Sequence, residues 1–174
     1  EVEKLANIAT AFSDYAKLPR RNYEPLNINE VLEDVISLYS LSKDLIIEKE
    51  LSKDLKLVNA DRQEMNRVFQ NLIKNAVQSL EEKENSEGNR MICVKSYNKL
   101  KSVIVEIIDN GVGMDDALLA KLFEPNFSTK KTGMGLGLSI TKKSLDDMKA
   151  DIKFTSSKGE GTTVRLEFEM LKNS

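Results

Sequence analysis

Histidine is absent from this sequence. Its absence removes histidine-based catalytic triads, histidine zinc sites and histidine general bases from consideration. Cysteine occurs once, at Cys93, so no internal disulfide can form, and that usage suits a reducing compartment. Cys93 lies in a strand-like run and reads as a small core residue rather than a nucleophile. No apolar run is long enough to span a bilayer, and the first residues do not read as a signal peptide. A cytoplasmic location is expected. Tryptophan is missing and other aromatics are few. The 26 basic residues nearly cancel the 28 acidic ones, for a formal charge of -2, so there is no electrostatic footprint of a nucleic-acid partner. No internal repeat or low-complexity tract is present.

What is there suits one compact domain with a little extra, in 174 residues. The clearest element runs from Asp61 to Gln78. Asp61 caps a helix, and Glu64 three residues on completes a capping box. Met65, Val68, Phe69, Leu72, Ile73, Ala76 and Leu80 then recur at helical spacing as one apolar stripe. Asn71 and Asn75 sit one turn apart at the edge of that stripe. Taken alone, such a pair is at home on a solvated helix flank. It is equally placed to line a cleft where the buried face ends.

Upstream, Leu5, Ile8, Phe12 and Tyr15 mark an amphipathic helix over residues 1–17, which seeks a partner helix. Leu18-Pro19 stops it, and a linker follows. Asn27 and Glu30 signal a second helix, reaching about Ser42. Short strands are expected at Leu45–Ile47 and Leu55–Val58, and longer ones at Met91–Tyr97 and Val103–Ile108. The last of these is apolar on both faces, as a central strand would be. A short helix is expected near Asp115–Leu122, another from Gly135–Leu138 to Met148, and two strands at Ile152–Ser156 and Thr162–Met170. This order predicts an α+β fold, a two-layer α/β sandwich.

Three stretches carry chemistry. Asp109-Asn110-Gly111-Val112-Gly113-Met114 ends the central strand. Its carboxylate could accept a hydrogen bond from an amino group while the glycines let a flat ring approach. A capping Asp in a glycine turn explains the same residues. Gly133-Met134-Gly135-Leu136-Gly137-Leu138 precedes a helix, so it is either a flexible loop or an N-terminal anion cradle, with Lys130 and Lys131 nearby. No strand runs into it and no Gly-Lys-Ser/Thr follows, so it is neither a dinucleotide fingerprint nor a Walker loop. Between them, Phe123-Glu124-Pro125-Asn126-Phe127-Ser128-Thr129-Lys130 is long and polar for a connection.

In this order, and with Gly159-Glu160-Gly161-Thr162 after them, these motifs resemble the ATP-binding catalytic domain of bacterial sensor histidine kinases, in the wider group with gyrase B, Hsp90 and MutL. The flavour is close to nitrogen-regulation kinases, and the likeness covers about Pro25 to Leu171. It implies a mixed, mainly antiparallel sheet covered by three helices on one face. Residues 1–18 would be the end of the second helix of a dimerisation and phosphoacceptor hairpin, residues 19–26 a linker, and residues 27–174 the ATP-binding domain. The resemblance implies that Asn75 holds Mg²⁺ and that Asn71 faces the ATP phosphates. Asp109, beside Gly111, Gly113 and Met114, would read adenine, supported by the Thr162 hydroxyl. Gly133, Gly135, Leu136, Gly137 and Leu138 would cradle phosphates. Phe123 would anchor the lid, from which Thr129 and Lys130 approach the nucleotide, with Asn71 and Lys130 taking part in transfer.

Two positions depart from the family pattern. Asn126 replaces a lid aromatic, and Gln78 stands where several members carry a lysine; Lys74 reads as a surface residue. The implied reaction is transfer of the γ-phosphoryl group from Mg·ATP to a histidine. That histidine lies on the hairpin in this family, so the chain is expected to begin after it and not to phosphorylate itself. Implied partners are the chain's own hairpin and a response regulator receiver domain, in a homodimeric parent. An ATP-regulated binding module or anti-sigma-type kinase of the same fold is the alternative. A gyrase-type clamp is disfavoured, because Asn71 stands where that branch has an acidic base.

Overall fold

The helix at the centre of the sequence is also the centre of the fold. In a computed structural model, which describes residues 21–39, 44–83, 89–124 and 137–172, it spans Arg62–Glu81 (α2). Asp61 caps it, its Oδ1 accepting from the Gln63 and Glu64 N–H groups at 2.9 and 3.0 Å. The predicted stripe is buried throughout, from Met65 to Leu80. Glu64 does not close a capping box. Its buried carboxylate instead accepts from Ser144 Oγ at 2.9 Å and pairs with Arg67 at 2.8 Å. A carboxylate removed from water needs such partners.

The stripe of α2 lies on a five-stranded sheet of order β2-β4-β5-β7-β6. Its strands are Leu45–Leu51 (β2), Arg90–Lys99 (β4), Ser102–Asp109 (β5), Asp151–Ser157 (β6) and Gly161–Glu169 (β7). β2 pairs parallel with β4, and every other pairing is antiparallel. The parallel pair needs a crossover, and α2 is part of it. β5 is the centre, with Val103, Ile104, Val105 and Ile107 all buried, as its sequence predicted. Ile28–Ser37 (α1), capped by Asn27, packs beside α2. Gly137–Asp147 (α4) packs between α2 and β6. One turn at Asp116–Leu119 (α3) is capped by Asp115. The mixed sheet with helices α1, α2 and α4 on one side is the expected sandwich.

The other side of the sheet is charged. Along one row, register aligns Glu50, Lys95, Glu106, Arg165 and Lys153 on successive strands. Lys95 pairs with Glu50 at 2.9 Å, and Tyr97 donates to Glu106 at 3.1 Å. Opposite charges on neighbouring strands support one another.

Two local readings shift. The strand expected at Leu55–Val58 lies instead at Val58–Ala60 (β3). Before it, the backbone finds partners outside any ladder: Asn98 accepts from Lys56 N–H at 3.0 Å and donates to Asp54 O at 2.9 Å, while Leu57 O accepts from Leu171 N–H at 2.8 Å. Glu24–Leu26 (β1), within the stretch read as linker, pairs antiparallel with β3 in a small second sheet. α1 ends at Ser37, and residues 40–43 lie outside the described residues, as does the helix expected over residues 1–17.

Asp61 also accepts from Asn22 N–H at 2.7 Å through Oδ2, joining the chain before β1 to the start of α2. Asp61→Ala should therefore cost ~2 kcal/mol, a cap plus one charge-assisted bond, and lower the calorimetric Tm by roughly 4–8 °C. Asp61→Asn should lose about half as much, since its amide can still cap but offers an N–H to Asn22. An alanine variant as stable as wild type would remove Asp61 from this role.

Candidate functional site

The flank of α2 beside its buried stripe carries Asn71, Asn75 and Ser79 at steps of four residues, and Lys83 follows just beyond the helix's last residue, Glu81. The three helical members lie one above the next, and the row winds slowly over ~12 Å. Each end is tied to another element. Asn71 Nδ2 donates to Thr141 Oγ1 on α4 at 2.9 Å. Gly137, the first residue of α4, lies so close that an added Cβ would fall 2.6 Å from Asn71 Oδ1. At the other end Ser79 Oγ donates to Asp109 Oδ1 at 3.2 Å, and Lys83 Nζ donates to the carbonyls of Asn110 at 2.8 Å and Gly159 at 3.2 Å. Asn75 sits between, half-buried.

Across the sheet from Ser79 lies a second polar group. Register pairs Asp109 of β5 with Thr162 of β7, and Thr162 with Ser156 of β6. Directly paired residues point to one face, so a carboxylate and two hydroxyls form one row on the helix side. The next row towards the core is Ile107, Val164 and Phe154. Asp109 is 6% exposed and Thr162 8%. Burial pushes the Asp109 carboxyl above its ordinary value. The Gly111 N–H, donating at 2.9 Å, the Ser79 hydroxyl, the Thr162 backbone and the nearby Lys83 ammonium act against that rise without cancelling it.

The loop after Asp109 is held down on this row. Met114 N–H donates to Ser156 Oγ at 2.8 Å, and Gly159 N–H donates to Val112 O at 2.6 Å. Gly113 has φ +63°, and any Cβ there would strike the Ser157 carbonyl. A side chain is barred by both conformation and space. Phe123 stands edge-on to Phe154 with centroids 5.7 Å apart, which brings the start of the lid motif over the row next to the carboxylate.

The fold thus brings Asn71, Asn75, Asp109, Gly111, Gly113, Met114, Phe123, Gly137 and Thr162 around one face of α2 and the adjoining strand ends. Leu138 packs half-buried against the core beside Gly137. Thr129, Lys130, Gly133, Gly135 and Leu136 lie outside the described residues. Sequence reasoning missed Ser79, Lys83, Thr141 and Ser156. The four-residue step from Asn71 and Asn75 already pointed to Ser79; nothing local singles out Lys83, which lies beyond the helix, or Thr141 and Ser156. Among the described residues no cluster of three or more acidic, cysteine or histidine side chains could cage a metal ion.

The row can accept a hydrogen bond from a donor group at its Asp109 end. At the other end, amides and the N-terminus of α4 meet, an arrangement suited to an anion. The raised Asp109 value sets a sign. Above the ordinary carboxylate range the unfolded state ionises freely while the folded state carries a desolvated charge, so Asp109 costs stability there. The cost fades as pH falls through the raised folded value. Asp109→Asn should therefore raise the Tm of the ligand-free protein at pH 7 by a few degrees. The gain should shrink on acidification; a gain that grows towards low pH would contradict this electrostatic reading.

Residues 60–172 match the family described as histidine kinase-, DNA gyrase B-, and HSP90-like ATPase. Sporulation kinase B of Bacillus subtilis (strain 168) is 31% identical over 170 residues, covering 96% of this chain and 38% of that protein. The signal transduction histidine-protein kinase AtoS of Escherichia coli (strain K12) is 28% identical over 171 residues, covering 95% of this chain and 27% of its own length. The chain therefore spans well under half of these relatives. Among solved structures, the nucleotide-free catalytic domain of histidine kinase ThkA superposes with a TM-score of 0.72 at 26% identity, covering 86% of this chain and 96% of that one. The matched span runs from Ala60, before the asparagine helix, through the Asp109 and Thr162 strands, and on that basis this chain belongs to the histidine kinase-, DNA gyrase B-, and HSP90-like ATPase family, with the fold of a histidine kinase catalytic domain.

Proposed function

We propose that this chain is the ATP-binding catalytic domain of a two-component sensor histidine kinase. It binds Mg·ATP and passes the γ-phosphoryl group to a histidine on a helical hairpin, since its own 174 residues contain none. The observation that carries this reading is the polar row of α2. One end meets a buried carboxylate suited to an amino group, and the other meets a helix N-terminus suited to phosphates. Asp109 takes the adenine amino group, Gly113 and Met114 flank the ring, and Thr162 supports the same end. Gly137 has no side chain, which lets the start of α4 approach Asn71 closely and sets the helix N-terminus beside the amide.

Asn75 offers a half-buried carboxamide oxygen, a donor that suits a hard cation. Mg²⁺ is usually held by few protein ligands together with substrate phosphates. The described residues fit that arrangement better than a protein cage. When bound, Mg²⁺ neutralises charge on the phosphates. Asn71 donates its amide to Thr141 and has no group able to take a proton from water. It positions phosphates without activating a hydrolytic nucleophile, which favours transfer over hydrolysis. Lys130 and Thr129, with Gly133, Gly135 and Leu136, complete the phosphate side in this proposal. Residues 1–18 belong to the hairpin of the homodimeric parent, and the stretch between them and β1 links it to this domain. The receiver of the phosphoryl group after the histidine is a response regulator. ThkA, whose catalytic domain this chain matches, has been crystallised in complex with response regulator protein TrrA.

The test combines transfer and binding. Labelled Mg·ATP is mixed with this chain and a separate hairpin domain, carrying its histidine, from a matching kinase. Acid-labile phosphate should appear on the hairpin and none on this chain. Asn75→Ala should slow transfer by roughly a hundredfold. Asp109→Asn should weaken Mg·ATP binding by about tenfold in calorimetry. Label on this chain itself would overturn the transfer reaction, and equal affinity of the Asp109 variant would remove that residue from adenine recognition.

A further inference from the structure

We propose that Ser156 is a specificity-determining positioning residue. By taking the hydroxyl proton of Thr162, it leaves Thr162, like Asp109 beside it, able only to accept from the base, which selects a 6-amino purine over a 6-oxo purine. This inference rests on the nucleotide reading above and adds a residue to it.

The hydroxyl protons at this end of the row can be counted. A serine hydroxyl has one hydrogen to donate and two lone pairs to accept with. Three groups surround Ser156 Oγ. The Met114 N–H lies 2.8 Å away and can only donate, so it takes one lone pair. The Gly161 carbonyl oxygen lies 2.8 Å away and can only accept, so it takes the hydrogen. Thr162 Oγ1 lies 2.9 Å away and either oxygen could donate in that contact considered alone. With the serine hydrogen committed to Gly161, only a lone pair remains. Thr162 therefore donates, and Ser156 is saturated.

The consequence falls on Thr162. Its single hydroxyl hydrogen points along the sheet towards Ser156, and its lone pairs are what it offers elsewhere. Its other neighbour in the row is Asp109, directly opposite in register, whose ionised carboxylate also only accepts. Carboxylate and hydroxyl thus present the same sign at adjacent positions. The purine 6-substituent lies between these two groups, with N1 turned away from Thr162. An amino group there brings two hydrogens and is satisfied at both positions. A carbonyl oxygen in the same place would meet lone pairs at both, and a buried acceptor without a donor is costly. Thr162 and Asp109 are both largely withdrawn from water, so solvent does not readily repair the mismatch. Asp109 supplies one such acceptor by its chemistry. Thr162 becomes the second because of the serine on the next strand.

Removing the serine hydroxyl frees the threonine proton, which can then turn to donate to a 6-oxo group. Binding of ATP and of inosine triphosphate, each with magnesium, should be measured by calorimetry for wild type, Ser156→Ala, Ser156→Thr, Thr162→Val and the Ser156→Ala/Thr162→Val double variant. Ser156→Ala also deprives Met114 N–H and Gly161 O of a partner, so both affinities should fall. The decisive quantity is their ratio. The preference for ATP should drop roughly three- to tenfold in Ser156→Ala, and Ser156→Thr, which restores a hydroxyl, should keep it. In the Thr162→Val background, adding Ser156→Ala should leave the ratio unchanged, because there is no proton left to release. Should Ser156→Ala weaken both nucleotides equally, or shift the ratio as much without Thr162 as with it, Ser156 would be a purely structural residue. Should wild type bind neither triphosphate, the nucleotide reading itself would fall, and this inference with it.

Discussion

The constraint on which the site depends is the rotation of one helix about its own axis. α2 buries Met65, Phe69, Leu72, Ile73 and Leu80 against the sheet, each 2% exposed or less. Side chains of this size contribute on the order of 1.5–3 kcal/mol each when buried. A shift of one residue would turn the helix by ~100° and expose part of that stripe. The flank bearing Asn71, Asn75 and Ser79 is therefore held at a fixed angle by the residues of the buried stripe. The same burial that makes the core makes the cleft wall, and the amides need no separate support to face it.

The two ends of that wall are built differently. At Asp109 the fold withdraws a carboxylate from water and answers it with a backbone N–H, a hydroxyl and a lysine, incompletely, so the carboxyl stays above its ordinary value. That residual cost is one that a hydrogen-bond donor placed beside the carboxylate would relieve. At Asn71 the contact is between helices. Thr141 and Ser144 on α4 meet Asn71 and Glu64 on α2, so polar bonds two turns apart on α2 hold α4 at its angle. The far face of the sheet carries cross-strand charges that suit it to water, and among the described residues no helix packs on it.

The chain before β1 is fastened to both of the helices that frame the cleft. Arg21 pairs with Asp147 at the end of α4, the Tyr23 hydroxyl donates to the Asp147 carbonyl at 3.2 Å, and Asn22 N–H binds the Asp61 cap of α2. A cation at the C-terminal end of a helix also complements its dipole. The segment by which this domain meets whatever precedes it is thus attached to α4, whose first residue touches Asn71.

Much of this was legible in the sequence because it is local and periodic. The apolar stripe of α2, its Asp61 cap, the two-sided apolar run of β5 and the glycines after Asp109 each follow from residue spacing or backbone freedom, and the order of motifs pointed to the family. The positions of β1 and β3 were less legible. Three-residue strands carry little periodicity, and their place was decided by Asn98 and Leu171, both remote in the chain. Ser156 and Thr141 were silent for a related reason. A serine in a strand and a threonine in a helix have no local signature, and their roles exist only once register sets Ser156 beside Thr162 and packing sets α4 against Asn71. The sequence by itself determined which faces would be buried and which chemical groups were on hand, since both are written in side-chain type and spacing. Only the tertiary structure decided which of those groups share protons, because hydrogen-bond direction depends on which atoms from distant strands lie within 3 Å of one another.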